Sequence, residues 1–276
     1  MKSSIILIFS AIITSSPVLA NAATVDLRNV YANVEIIPED RQDVAVDVRA
    51  SDGKLPLPRI TRSGADLLVD GGLKRMNTCS GIRPGRSIDI PGFGWMAASS
   101  AVNITVHTPR DAHVTTSGAI IGNVRAAQSV DLRTDGCSQW SISDVSGTLS
   151  IRQEGVSKML IGSAGKAVLD LSGLSHVELA DVHDFSVDMS GMGKVYLKSI
   201  SGPVDASLSG MGSVNIAAGR AERVKADVSG MGGFNLHGSA SELDASISGI
   251  GGVHVDHVTG SVKKSVSGIG RVSVGA

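Results

Sequence analysis

Two cysteines, seven histidines, eight methionines and a recurring serine are the side chains with chemistry to offer in this 276-residue sequence. Cys79 and Cys137 are the only thiols, so one bridge, closing a loop of 58 residues, is open to them. In an oxidising compartment such a bridge is worth roughly 3–4 kcal/mol by the chain-entropy estimate. Two buried free thiols are the other account. Metal ligation is poorer than either, because no C-x-x-C pair is present. His254, Asp256 and His257 lie close in sequence, as do Asp181, His183 and Asp184. A metal needs three or four ligands converging on one point, and the sequence spacing lines up no two histidines. They are expected on the surface, with no metal and no cofactor.

Met192, Met211 and Met231 recur with one spacing that would suit a soft cation. The same column continues as Ile250 and Ile269, and earlier as Cys137, Val156 and Leu174. Aliphatic substitution of that kind predicts core packing with Met as gap-filler. Ser172, Ser190, Ser209, Ser229, Ser248 and Ser267 form another column. A nucleophilic serine needs one copy, a base and an orienting group. Six copies predict hydroxyls that satisfy turn backbone groups. Asp170, Asp188, Asp205, Asp227 and Asp244 fall near one face just before these serines. Glycan cleavage needs clustered carboxylates or a calcium site beside a basic residue. The aspartates read instead as a ladder of like charges with no matching Arg or Lys column. No catalytic residue is expected.

The elements that must carry these columns follow from a repeat. The strings L-S-G-L-S-H-V-E-L, M-S-G-M-G-K-V-Y-L, L-S-G-M-G-S-V-N-I, V-S-G-M-G-G-F-N-L, I-S-G-I-G-G-V-H-V and V-S-G-I-G-R-V-S-V align without a gap. Their glycines are Gly173, Gly191, Gly210, Gly230, Gly249 and Gly268, and diverged copies add Gly155, Gly136 and Gly118. The step is about 19 residues. The fourth and sixth positions after each glycine are apolar, with Gly122 the exception at the fourth, and the fifth is mostly polar. In, out, in is the strand period of two. Two short strands per repeat, joined by glycine turns, predict an all-β fold, a parallel β-helix or β-solenoid. Gly recurs at the turns because stacked turns leave little room and left-handed angles suit it best. A lone coil cannot offset the entropy of ordering its residues, so each is stable only against neighbours.

Around this rod the sequence predicts a leader and a cap. Residues 1–22 open with Met1-Lys2, continue through an apolar run and reach Ala20-Asn21-Ala22, the layout of a cleaved secretory signal. No later stretch is apolar for long enough to span a bilayer as a helix. Residues 23–110 are expected as irregular β-rich coils and cap, and 111–276 as regular repeats of one continuous solenoid. Gly71 to Ala98, with Cys79, Phe93 and Trp95, reads as a lid over the core. Val272 and Val274 keep the apolar pattern at the last coil beside Lys263, Lys264 and Arg271. That predicts a weak, salt-strengthened end-to-end homodimer. The net charge of -1 and 3 % aromatic content exclude a phosphate-driven or base-stacking nucleic-acid binder.

The S-G-M-G and S-G-I-G repeats, the run from Gly268 to Gly275, and Val102-Asn103-Ile104-Thr105-Val106 leading to Thr116-Ser117-Gly118 resemble the head GIN domain family. That family is described as an auto-transporter adhesin and is β-helical. The resemblance implies an exported, non-enzymatic module at the periplasm or cell surface, adhesive or structural, with a glycan or other envelope component as partner. It brings no catalytic residues, and no membrane-barrel segment is read at the C-terminal end. A carbohydrate-active β-helix and a self-assembling periplasmic scaffold are the competing expectations.

Overall fold

The computed structural model describes residues 23–75, 79 and 87–275. The expected signal segment, residues 1–22, lies outside them. Nineteen strands form one wound sheet, parallel apart from two pairings in the cap, and a two-stranded hairpin stands beside it. The repeat is visible as register. Cys137 pairs with Val156, Val156 with Leu174, Leu174 with Met192 and Met192 with Met211, one coil apart each time. The expected β-solenoid is the fold.

Alternation decides what lies inside. Along Val204–Leu208 the even-phase residues Val204, Ala206 and Leu208 are buried, and along Met211–Ile216 so are Val214 and Ile216. Corresponding residues of each coil stack into apolar columns that no single coil could form. Strands also run through corners. Leu174–Met189 is continuous for 16 residues, and Ala127, Val145, Ala164, Val182 and Ile200 stack as a third, buried wall. The sequence reading of two strands per repeat missed this wall, because its residues are small and recur outside the conspicuous glycine motif.

The first coil is one long strand with a bulge between Leu27 and Val30, where Asn29 has a positive φ. Thr24–Glu39 is a 16-residue strand lying between two layers. One side pairs with Asp111–Val124, and the other with Asp66–Asp70 and Val102–Pro109. From Thr24 the described chain thus runs in the second layer, drops back to build the terminal one, and then climbs past that strand. Antiparallel partners, Arg59–Ser63 on Asp66–Asp70 and Ala45–Arg49 on Val102–Pro109, occupy the outer edge. An edge covered in this way offers less to a passing strand. Thr24 fastens the layers through its hydroxyl and amide, both donating to Asp66 Oδ1 at 2.6 and 3.1 Å. Those bonds hold the Asp66 carboxyl below the usual range.

The glycine column has a reason that changes along the rod. Gly118, Gly136 and Gly155 have positive φ, as the turn argument expects. From Gly173 to Gly268 φ is ordinary, and the close stacking that also confines Gly118, Gly136 and Gly155 is the cause that remains. A Cβ on Gly210 would sit 1.9 Å from the carbonyl oxygen of Gly191, and one on Gly268 2.1 Å from that of Gly249. Gly122, the exception in the fourth-position column, is explained by its neighbour. A Cβ there would lie 2.1 Å from Cζ3 of the wholly buried Trp140 one coil above.

Candidate functional site

Cys79 and Cys137 are bonded, with Cα atoms 5.3 Å apart. Cys137 is buried at the corner of its coil. The segment leading to Cys79 starts beside the first coil, where the Gly71 and Leu73 amides donate to the Arg28 and Asn29 carbonyls at 2.9 and 3.2 Å. It reaches the third coil at Arg75, 3.1 Å from Asp135. Ala119, the corner residue of the coil between, is also wholly buried.

Further along the rod the same corner is uncovered, which corrects the expectation for the methionine column. Leu174, Met192, Met211, Met231 and Ile250 are 48–57 % exposed, and Ile269 is 81 % exposed. They form an apolar ridge and not core. The fourth and sixth positions after each glycine point inward, so the second does too, and there Ser157, Ser175 and Gly212 are buried. The first position must then point out.

The serine hydroxyls bond as expected where a bond is seen: Ser172 Oγ donates to the Gln153 carbonyl at 3.1 Å and Ser267 Oγ to that of Ile247 at 3.5 Å. The aspartates do not form one ladder. Asp188 pairs in register with Ser207, and Ser207 with Asp227, whereas Asp205 stacks on Lys225 and Lys225 on Asp244. Asp170 pairs directly with Asp188, whereas in the row of Asp205, Lys225, Asp244 and Lys263 cations alternate with carboxylates. Arg152 holds Asp170 at 3.0 Å and Lys225 holds Asp227 at 3.2 Å. A hydrogen bond to Asp227, then the charges of Asp205, Asp227 and Asp244, raise the Lys225 ammonium above its ordinary range.

Two histidines that share no column nevertheless meet, because neighbouring columns on adjacent coils are neighbours in space. His237 and His254 lie with ring centroids 6.2 Å apart, and both approach Asp256 Oδ1, at 3.5 and 3.0 Å. His254 Nδ1 is also 2.9 Å from Ser273 Oγ. Among the described residues no group of three His, Cys, Asp or Glu is placed to hold a metal ion.

The outer face of the strands after the corner carries the polar concavities. Near the cap, Asn33, Glu35, Asn103, Thr105, Asn123, Gln139 and Ser141 line an open groove of about 400 Å³ floored by Ile121 and Gly122. Asn33 Nδ2 donates to Asn103 Oδ1 at 3.2 Å. Arg125 Nε donates to Glu35 at 2.8 Å, so the one carboxylate is neutralised at the rim. Farther along the face, His176, Glu178, Lys194, Tyr196, Ser213, Asn215, Asn235 and His237 line a second groove of about 620 Å³. Tyr196 is 41 % exposed there. Sequence reading noted the fifth-position column as polar but assigned it nothing. Its composition, Asn123, Ser141, Glu178, Tyr196, Asn215, Asn235 and His254, was the available signal.

A protein family described as "Putative auto-transporter adhesin, head GIN domain" matches residues 32–256 and 183–276. No curated protein matches the sequence. Among solved structures, a "Putative lipid binding protein" from Parabacteroides distasonis is similar at 15 % identity, covering 91 % of this chain and 91 % of its own, with a TM-score of 0.42.

Proposed function

The chain belongs to the head GIN domain family, and from that premise we propose that it is an exported, non-enzymatic binding module that holds a cell-surface glycan on its post-corner sheet face. One observation carries the reading. The groove near the cap presents amide and hydroxyl groups from four adjacent layers, Asn103, Asn33, Asn123 and Gln139 with Thr105 and Ser141, at the fixed spacing of stacked coils. Carboxamides offer a donor and an acceptor side by side, which suits the paired hydroxyls of a sugar. An open groove suits a chain entering from either end. Tyr196, in the second groove, adds a ring face against which a sugar ring can pack.

Export is supported by the disulfide, since such bonds persist in oxidising compartments. A non-catalytic role is supported by the pairing of Asp170 and Asp227 with cations, which leaves them poorly suited to proton transfer. End-to-end pairing of two copies, in the same reading, would use Val262–Val266 and Arg271–Val274, each of which pairs along one edge within the described residues.

The test is a glycan array probed with residues 23–276, followed by titration of any retained oligosaccharide. Replacing Asn123 and Gln139 together by Ala should weaken binding about tenfold or more, at roughly 1 kcal/mol per lost hydrogen bond. Retention unaffected by the double change, or no retained glycan at all, overturns the proposal. Release of shortened oligosaccharide would replace it with the enzyme reading.

A further inference from the structure

The ridge of Leu174, Met192, Met211, Met231, Ile250 and Ile269 has no role in the groove. We propose that it is a membrane-docking edge, seated in the interface of an anionic lipid bilayer with the solenoid axis lying along the surface.

Three features point to that occupant. The first is shape. Strand register and the backbone bonds of the corner stack these residues one coil apart, about 4.8 Å, so the ridge is about 24 Å long and one side chain wide. It projects from a corner and is bordered on one side by the exposed serines Ser190, Ser209, Ser229 and Ser248. Inserting a line one side chain deep requires no charged group on that border to leave water, and interfacial elements seat to about 5–10 Å.

The second is area. Half-exposed side chains of this size offer roughly 80–100 Å² each and Ile269 more, so six provide roughly 500–600 Å², still short of one side of a stable interface. A specific protein interface takes about 800 Å² from each partner. The ridge is therefore too narrow to hold a second copy stably, whereas a bilayer closes around an edge of any width.

The third is charge. The outward row on the ridge's other border carries Lys194 and Arg271 beside Ser213, Gly233 and Gly252, while its His176 is paired with Glu178 at 2.8 Å. From His257 to Ala276 the sequence has Lys263, Lys264 and Arg271 and no Asp or Glu. A juxtamembrane cation contributes favourably near an anionic lipid surface. The nearest aspartates lie on the far side of the serine border, and two of them, Asp170 and Asp227, are held by Arg152 and Lys225. The corner is also a seat that the chain itself uses. At Ala119 and Cys137 the same column is wholly buried, and Cys79 is bonded to Cys137 there.

The experiment is flotation of the disulfide-bonded protein with vesicles of phosphatidylcholine alone or mixed with phosphatidylglycerol. The protein should float with the mixed vesicles. Met211→Ser with Met231→Ser should cut that partition about tenfold or more, without changing the circular dichroism spectrum. Lys194→Glu with Arg271→Glu should reduce binding to the mixed vesicles and leave the weaker binding to neutral ones unchanged. Protein that stays in the buffer fraction with both compositions overturns the proposal, as does a serine double variant that floats like the parent. A dimer by sedimentation that is lost in the serine variant would assign the ridge to a second copy and also overturn it. The glycan test reads Asn123 and Gln139 in the groove near the cap, whereas the lipid test reads Met211 and Met231 on the corner, so the two proposals fail independently.

Discussion

At the residue scale, Gly122 and Trp140 show how one column absorbs an outsized side chain. The position is Val, Met or Phe in other coils and Trp here, and the coil beneath gives up its side chain to admit the indole. Gly122→Val should cost about 1–3 kcal/mol or more, because the new Cβ lands on wholly buried ring carbons with no room to retreat. Trp140→Val alone should also destabilise, by roughly 3 kcal/mol, through the cavity it opens. Made together, the two changes rebuild a column of valines. The double variant should be more stable than the two separate losses predict, by about 1–3 kcal/mol of coupling. Urea denaturation of the four proteins measures this. Strictly additive losses would show that the indole does not depend on the space above Gly122. The sequence displayed Gly122 as an exception but held no hint of its cause, since the cause is a side chain one full coil away.

At the element scale, the corner is where sequence and structure part. Strand phase was legible from the apolar fourth and sixth positions, and it already dictated that Met192, Met211 and Met231 face outward. Composition argued the opposite, since a column of Met, Ile and Leu resembles core. Phase is imposed by the backbone and composition only by selection, so phase prevails. The histidines show a related blind spot. A column comparison finds His237 and His254 apart, yet Asn235 pairs with His254, so His237 is only two residues along the strand from His254's partner. The Cys79–Cys137 bond was legible because it had no competitor. Its position was not legible, because the chain's return to build the terminal layer follows from long-range pairing alone. Reduction should lower stability by roughly 3–4 kcal/mol at most in the chain-entropy estimate. It should also free the segment near Lys74 and Arg75, which among the described residues is otherwise held to the third coil by the exposed Arg75–Asp135 pair. Trypsin with and without reductant tests both parts. Early cleavage at Lys74 or Arg75, with Asp111–Val274 still protected, is the expected result. Simultaneous digestion of the coils would show that the bond holds the whole rod and not its corner segment.

At the scale of the whole molecule, stability is expected to grow coil by coil, because each layer contacts only the layers beside it. The sheet pairings bear this out: Leu174–Met189 bonds to the strands immediately before and after it in the stack and to none farther away. A coil should then be removable if its register is kept. Deleting Met192–Gly210 joins Gly191 to Met211 and preserves the corner sequence Ser-Gly-Met-Gly. Val214 then stacks on Val177, Ile216 on Leu179, Val224 on Phe185 and Val228 on Met189, each of these buried positions again meeting an apolar one. The shortened protein should fold cooperatively, keep its disulfide, and lose about 4.8 Å of rod length in solution scattering. Deleting only Met192–Ser201 removes about half a coil and sets outward residues against inward ones at the junction, with Val204 opposite His176 and Asp205 opposite Val177. A period-two structure has no tolerance for such a slip. That variant should lose its cooperative unfolding transition. If instead both deletions unfold, the coils are not exchangeable units, and the stability of the rod resides in contacts specific to each layer.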